Sequence, residues 1–348
     1  MKHYDYIIVG QGIAGTMFSY TLFQNQKTFL VIGSQQKKCS SLVAGGIFNP
    51  LTGKGLVKTW KADLLFPFMK DFYENLENRL KISFFHKMPI YRPYRSIQEQ
   101  NDWLGKTENP DFGMYVESNT DDMHYKSDIY NDLGGLETRH SGWVDLPKLL
   151  EAYRCFIQEK DSYLEEDFDY SALEIQEKLS YKGVTASKII FCEGVGAQEN
   201  PYFSDMPFSF VKGETIDIHI EGASFKGIVN QGVSIVPLGN EMYRVASTYS
   251  WNPLDWEKTE KAKEELIEKA RNLLKKDFEV VEQRAGIRPA TKHRRPIVGM
   301  HPKYSQIGIF NGLGSKGVSL APYLAKHFFE HIEYTTPLDK DLIQPQYI

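Results

Sequence analysis

The chain has 348 residues, with 41% hydrophobic and 25% charged side chains and a formal net charge of −4. It is long enough for two packed lobes, and its charge offers no basic field to draw in nucleic acid. Cys39, Cys155 and Cys192 lack C-x-x-C spacing, so neither a disulfide framework nor a metal site is expected. Free thiols fit a cytoplasmic location. No secretory signal is visible, and no stretch nears the ~18 apolar residues of a membrane span.

Tyr6, Ile7, Ile8 and Val9 form an apolar run that predicts a buried parallel strand over 4–9. Gly10, Gly12 and Gly15 follow as G-x-G-x-x-G and open a predicted helix over 13–26. The first glycine permits a tight turn, the second admits a pyrophosphate close to the backbone, and the third lets helix and strand pack closely. The helix start, with Ile13 and Ala14, turns free N–H groups and a positive dipole end toward that phosphate. In this strand–turn–helix setting the motif predicts dinucleotide binding. A second strand over 28–32 ends at Gly33 and Ser34. Dinucleotide folds usually place a ribose-binding Asp or Glu there, so Ser34 or backbone groups are expected to take that task.

Residues 40–60 form a long loop rich in glycine and small residues, and loops of that length are usually functional or disordered. Their aliphatic and aromatic content argues against disorder. Leu64, Leu65, Phe68, Phe72 and Leu76 predict a helix over 61–81. A strand is expected over 84–91 and irregular excursions over 97–135. A helix over 146–160 and strand-like pieces near 163–168 and 173–178 follow. The apolar run 187–192 reads as a buried strand leading into Glu193 and Gly194. Four strand-like runs between glycine turns predict an antiparallel sheet within 208–248. Ala262, Leu266, Ala270, Leu273 and Leu274 mark one side of a charged helix over 255–276. A strand over 305–310 then enters a second glycine turn, Gly312 to Gly317, which opens a last helix over 317–332.

Five ordered segments resemble the D-amino-acid oxidase/glycine oxidase superfamily of FAD enzymes. They are VGQGIAG; SSLVAGGIFNP; SGWVDLPKLLEAY; IIFCEGVGA with PFSFVKGETI; and AGIRPATKHRRPIVG with GIFNGLGSKGVSLAPYLAKHF. The resemblance implies an α/β fold with a Rossmann-like FAD-binding domain of the glutathione-reductase type. That domain would be discontinuous, over 1–80, 137–204 and 285–348. An inserted α+β substrate domain with an antiparallel sheet would occupy 81–136 and 205–284.

One non-covalent FAD would then be held by both glycine turns. The expected cofactor contacts are Gly10, Gly12, Ile13, Ala14, Gly15, Gly33 and Ser34. The Ser41, Ala44, Gly45 and Gly46 loop would lie beside the flavin. Phe168, Cys192, Glu193 and Gly194 would follow, and then Arg288, Gly312, Gly314, Ser315, Lys316, Gly317 and Val318. The second helix start and Lys316 would stabilise negative charge on a reduced flavin; the competing reading of Lys316 is a solvated surface lysine. Glu193 would compensate for the acid absent at Gly33.

The implied chemistry is hydride transfer from an amine or amino acid to the flavin, which needs no acid–base dyad. Arg288 matches the family arginine that grips a substrate carboxylate, with a structural ion pair as its competing reading. Ser234 stands where small-substrate oxidases often place Tyr, and Tyr249 is the alternative source of a phenol. Lys292, His293, Arg294 and Arg295 read as a solvated basic turn. GLGSKGV and SGWVD also resemble the oxidase domain of the bifunctional enzyme that matures methylaminomethyl-thiouridine in tRNA. A modified tRNA base is therefore an alternative substrate, disfavoured by the net charge. A flavoprotein subunit without independent activity is the remaining alternative. Oligomeric state is not legible.

Overall fold

The computed structural model describes residues 1–117, 120 and 122–345. β1 (Lys2–Val9), α1 (Ile13–Gln24) and β2 (Phe29–Gly33) form the first unit. β1 pairs in parallel with β2 on one side and with Val184–Phe191 on the other. That strand pairs in parallel with Ile307–Asn311, and Tyr163–Glu165 extends the sheet beyond β2. Antiparallel additions, Ile297–Met300 and the pair Leu173–Ile175 and Leu179–Tyr181, complete it. Ile7, Ile8, Ile189 and Ile190 are fully buried, as strands covered on both faces require. α1 packs beside the C-terminal helix Gly317–Tyr334. The approach is close: a Cβ on Gly317 would sit 3.0 Å from Ile13 Cγ2.

The second sheet has seven strands. Val211–His219 lies between Glu279–Arg288 and Met242–Ala246, and the latter continues to Ser234–Gly239 and Ile228–Asn230. All these pairs are antiparallel. Ile228–Asn230 then pairs in parallel with Ile90–Pro93, which pairs with Gly135–Thr138. Period-2 alternation separates the faces. Tyr91, Val229, Ile235, Val245 and Ile216 pack with Leu266 and Ala270 of the helix Glu260–Arg271. Arg92, Asn230, Ser234, Ala246 and Thr215 turn the other way, toward a cavity shared with the first sheet.

The expected strand over 84–91 is two strands, Phe85–Lys87 and Ile90–Pro93, in different sheets. Pro89 falls between them and has no N–H to continue a ladder. The 97–135 region is more regular than expected. It holds a helix, Ile97–Thr107, capped by Ser96 Oγ accepting from Glu99 N at 3.1 Å. The short helical segments Pro110–Gly113 and Asp122–Tyr125 follow. The charged helix begins at Glu260 rather than 255, because Thr259 caps it and is itself fixed by hydrogen bonds to Glu214. Within 40–60 the chain forms the helical turn Ser40–Val43 and short strands. No described helix is long and apolar enough to cross a membrane.

Candidate active site

A cavity of about 940 Å³ runs from the carboxyl ends of the parallel strands to the inner face of the second sheet. Its size lies toward the top of the ~300–1,000 Å³ usual for ligand sites. Gly10, Gly12, Ile13 and Ala14 line it from the first turn, and Gly33 and Ser34 from the end of β2. Ser41, Ala44, Gly45 and Gly46 line it from the long loop. Phe168, Cys192, Glu193 and Gly194 form another part of the wall. Gly314, Ser315, Lys316, Gly317 and Val318 come from the other end of the chain.

Two expected contacts are corrected. Gly15 and Gly312 do not line the cavity. A Cβ on Gly15 would sit 1.9 Å from the Gly10 carbonyl oxygen, and one on Gly312 would sit 2.8 Å from Thr291 Cγ2. Both glycines serve close packing behind the wall.

The wall suits a dinucleotide with a polar middle. α1 has no side-chain cap and no acid in its first turn. The C-terminal helix likewise has neither. Two positive helix ends therefore face one cavity, and neither is neutralised by an acid in its own first turn. A Cβ on Gly12 would have Ser41 Oγ, at 3.5 Å, as its nearest neighbour, so the turn leaves open backbone for a ligand.

The carboxylates divide differently from expectation. Glu193 is half-buried in the wall, and desolvation pushes its pKa up. Its Oε1 accepts from the Tyr170 hydroxyl and its Oε2 from Asn200 Nδ2 at 2.7 Å. Both oxygens are already held internally, which weakens the ribose role. Glu166 went unnoticed in the sequence, yet it also lines the cavity. Its N–H donates to the Gly33 carbonyl at 3.0 Å, one strand over from the missing acid, while its Oε1 accepts from the Tyr181 hydroxyl at 2.6 Å and from Lys182 Nζ at 3.2 Å.

At the other end, Arg288 closes the strand Glu279–Arg288. Nη2 donates to Ser247 Oγ at 2.6 Å and to the Thr248 carbonyl at 3.1 Å; Nη1 donates to the Lys212 carbonyl at 3.2 Å. It has no ion-pair partner among the described residues, contrary to the structural-ion-pair reading. Burial lowers its pKa. Tyr249, 58% exposed at the cavity mouth, lays its ring 4.3 Å from the guanidinium carbon. A second residue makes the guanidinium's position possible. A Cβ on Gly213 would sit 2.1 Å from Arg288 Nη2. Gly213 lies in the VKGET segment, but only strand pairing shows what it accommodates.

Ser234 lines the cavity, and its Oγ accepts from Asn230 Nδ2 at 2.8 Å. Lys316 is partly buried, not a freely solvated surface lysine. It donates to Thr59 Oγ1 at 3.1 Å and has no carboxylate partner among the described residues. Burial, and then the charge of Arg295, lower its pKa. Lys292, His293 and Arg294 are exposed, whereas Arg295 lies 5.1 Å from the Trp60 ring centre. A further arginine in the wall, Arg92, had no signal in the sequence beyond its place beside a proline.

A glycine-turn cradle completed from the far end of the chain, beneath a largely antiparallel sheet bearing an unpaired arginine, defines a dinucleotide-dependent oxidoreductase. The chain belongs to the DAO family of FAD-dependent oxidoreductases, which matches residues 5–331. It is 24% identical over 347 residues to glycine oxidase of Bacillus subtilis (strain 168), covering 92% of this chain and 90% of that protein. Among solved structures it is similar to glycine oxidase from Bacillus cereus ATCC 14579, with a TM-score of 0.78 and 18% identity over 96% of each chain. It is similar also to iminodiacetate oxidase from Chelativorans sp. BNC1. There the TM-score is 0.79 and the identity 20%, covering 97% of this chain and 99% of that one. Its cofactor is FAD.

Proposed function

We propose that this protein oxidises the C–N bond of a small amino acid or related carboxylate-bearing amine. The observation that carries this reading is Arg288, a half-buried guanidinium in the cavity with no internal carboxylate partner. A guanidinium fork matches a carboxylate with two parallel donors. The neutral acceptors that hold Arg288 fix its direction and leave its charge uncompensated. FAD, when bound, supplies the acceptor for the hydride leaving the carbon beside nitrogen.

The chain's own task is to orient that carbon and to favour the neutral amine. Arg288 anchors the carboxylate, and the Tyr249 ring covers the guanidinium from the solvent side. Thr215, Ser234 and Ala246 furnish the sheet face opposite the glycine loop, where a Cβ on Gly45 would come within 3.3 Å of Ala246 Cβ. Lys316 and the adjoining helix start supply positive charge where the cofactor accumulates negative charge. The uncapped first turn and Glu166 are suited to the pyrophosphate and ribose, respectively.

Anaerobic mixing with a panel of amines, watched at the flavin absorption, tests the reading. Bleaching by amino acids but not by their decarboxylated counterparts supports it. In Arg288→Ala the KM for a carboxylate substrate should rise while FAD stays bound; unchanged turnover at subsaturating substrate would refute the anchor. Bleaching only by modified tRNA would transfer the activity to a nucleic-acid substrate.

A further inference from the structure

Arg92 is 8% exposed and lines the same cavity from the strand Ile90–Pro93. Its Nη2 donates to the Gly53 carbonyl at 3.2 Å, but Nε and Nη1 have no hydrogen-bond partner among the described residues. The adjacent Arg95 takes the nearby carboxylate, Glu99, for itself. Arg92 thus has no ion pair among the described residues. Its guanidinium carbon lies 5.3 Å from the Trp103 ring centre, which supports the cation without neutralising it. Burial brings its pKa down to about 10, so it still carries its charge at neutral pH.

A buried, unpaired cation with empty donors is costly. Buried polar groups are nearly always satisfied, so such an exception calls for a partner. The cavity is the side from which one can come. Lys54 lines it as well, adding a second positive charge. The turn over 53–56 closes over Arg92, and a Cβ on Gly53 would meet nothing within 4 Å. Open space therefore lies beside that glycine, next to the guanidinium.

We propose that the substrate carries a second anionic group, held by Arg92, in addition to the carboxylate at Arg288. This rests on the amine-oxidation reading above and narrows it to amino acids with a second acidic arm. Sheet register places Arg92, Asn230, Ser234 and Ala246 on one face. Three strand spacings separate Arg92 from Ala246, about 14 Å between backbones. Arg288 stands two strands beyond Ala246, so the two guanidinium groups lie toward opposite sides of this sheet and favour a substrate longer than glycine. The polar pair Asn230 and Ser234 lies between them and suits a hydrophilic spacer.

The test compares holoenzyme kcat/KM for N-methylglycine with that for iminodiacetate, glutamate and longer N-carboxyalkyl glycines. At least one dianionic amine should be preferred by about 10- to 100-fold, the usual worth of a charge-assisted contact. The preference should disappear in Arg92→Met and be partly kept in Arg92→Lys. Equal specificity for all these amines, or an undiminished preference in folded Arg92→Met, overturns the proposal. Binding gives a readout independent of turnover. Glutarate, which has no C–N bond, should bind the holoenzyme more tightly than butyrate by flavin-spectrum titration. If no amino acid bleaches the flavin but this difference exists and is lost in Arg92→Met, the amine reading fails and the anion site stands. If glutarate and butyrate bind alike, the anion site fails.

Discussion

Gly213→Ala tests the carboxylate anchor without touching the arginine. Gly213 lies inside the strand Val211–His219 at an ordinary backbone conformation, so alanine adds no backbone strain. Its new Cβ would sit 2.1 Å from Nη2, 2.3 Å from Nη1 and 2.4 Å from Cζ of Arg288. All three atoms belong to the tip of one flexible side chain. The guanidinium must therefore move, while the sheet has no reason to. Hydrogen bonds to charged groups contribute about 1.5–3 kcal/mol each. Misplacing a two-pronged contact should cost about 2–4 kcal/mol of transition-state binding. At 1.36 kcal/mol per decade, kcat/KM for a carboxylate amine falls roughly 30- to 900-fold. The assay is steady-state oxidation with the best substrate of the panel, beside FAD content and Tm. An unchanged kcat/KM at full FAD occupancy would refute the reasoning, because the guanidinium cannot share that space with a methyl group.

Gly12→Ala and Gly15→Ala should separate cofactor contact from packing. A Cβ on Gly12 meets nothing closer than 3.5 Å, so the apoprotein should keep its Tm and lose FAD affinity by titration. A Cβ on Gly15 would strike the Gly10 carbonyl oxygen at 1.9 Å, and the apoprotein itself should lose about 1–3 kcal/mol in denaturant unfolding. Lys316 should show a pH signature. Its pKa is depressed in the folded chain, so the unfolded chain binds more protons between that value and about 10.4. Wild-type apoprotein therefore gains stability relative to Lys316→Met as pH rises through that window. The Tm advantage of Lys316→Met should shrink toward pH 10; an advantage independent of pH would refute the buried-charge argument.

The two glycine turns were legible in the sequence because each is a local event. An apolar strand, a glycine turn and a helix start lie within about fifteen residues, and steric and dipole rules act at that range. Helices with a continuous apolar stripe were legible for the same reason, and Ala62–Leu80 and Leu146–Gln158 differ from expectation only at their ends. Arg288 was legible through its motif, but not its lack of an ion pair. Pro89 was visible in the sequence, yet its consequence, the assignment of one apolar run to two sheets, depends on distant partners.

What tertiary structure alone decided is which residues face one another. Gly213 matters because strand register sets it beside Arg288, seventy-five positions on. Glu166 reaches the cavity wall beside Gly33 because the strand before it pairs with β2. Arg92 becomes a buried cation in a cavity wall because Ile90–Pro93 joins a strand from residues 228–230. Local periodicity fixes the face on which a side chain emerges. Only long-range pairing fixes what it meets there, since one residue of register slip would turn each of these groups away from the cavity.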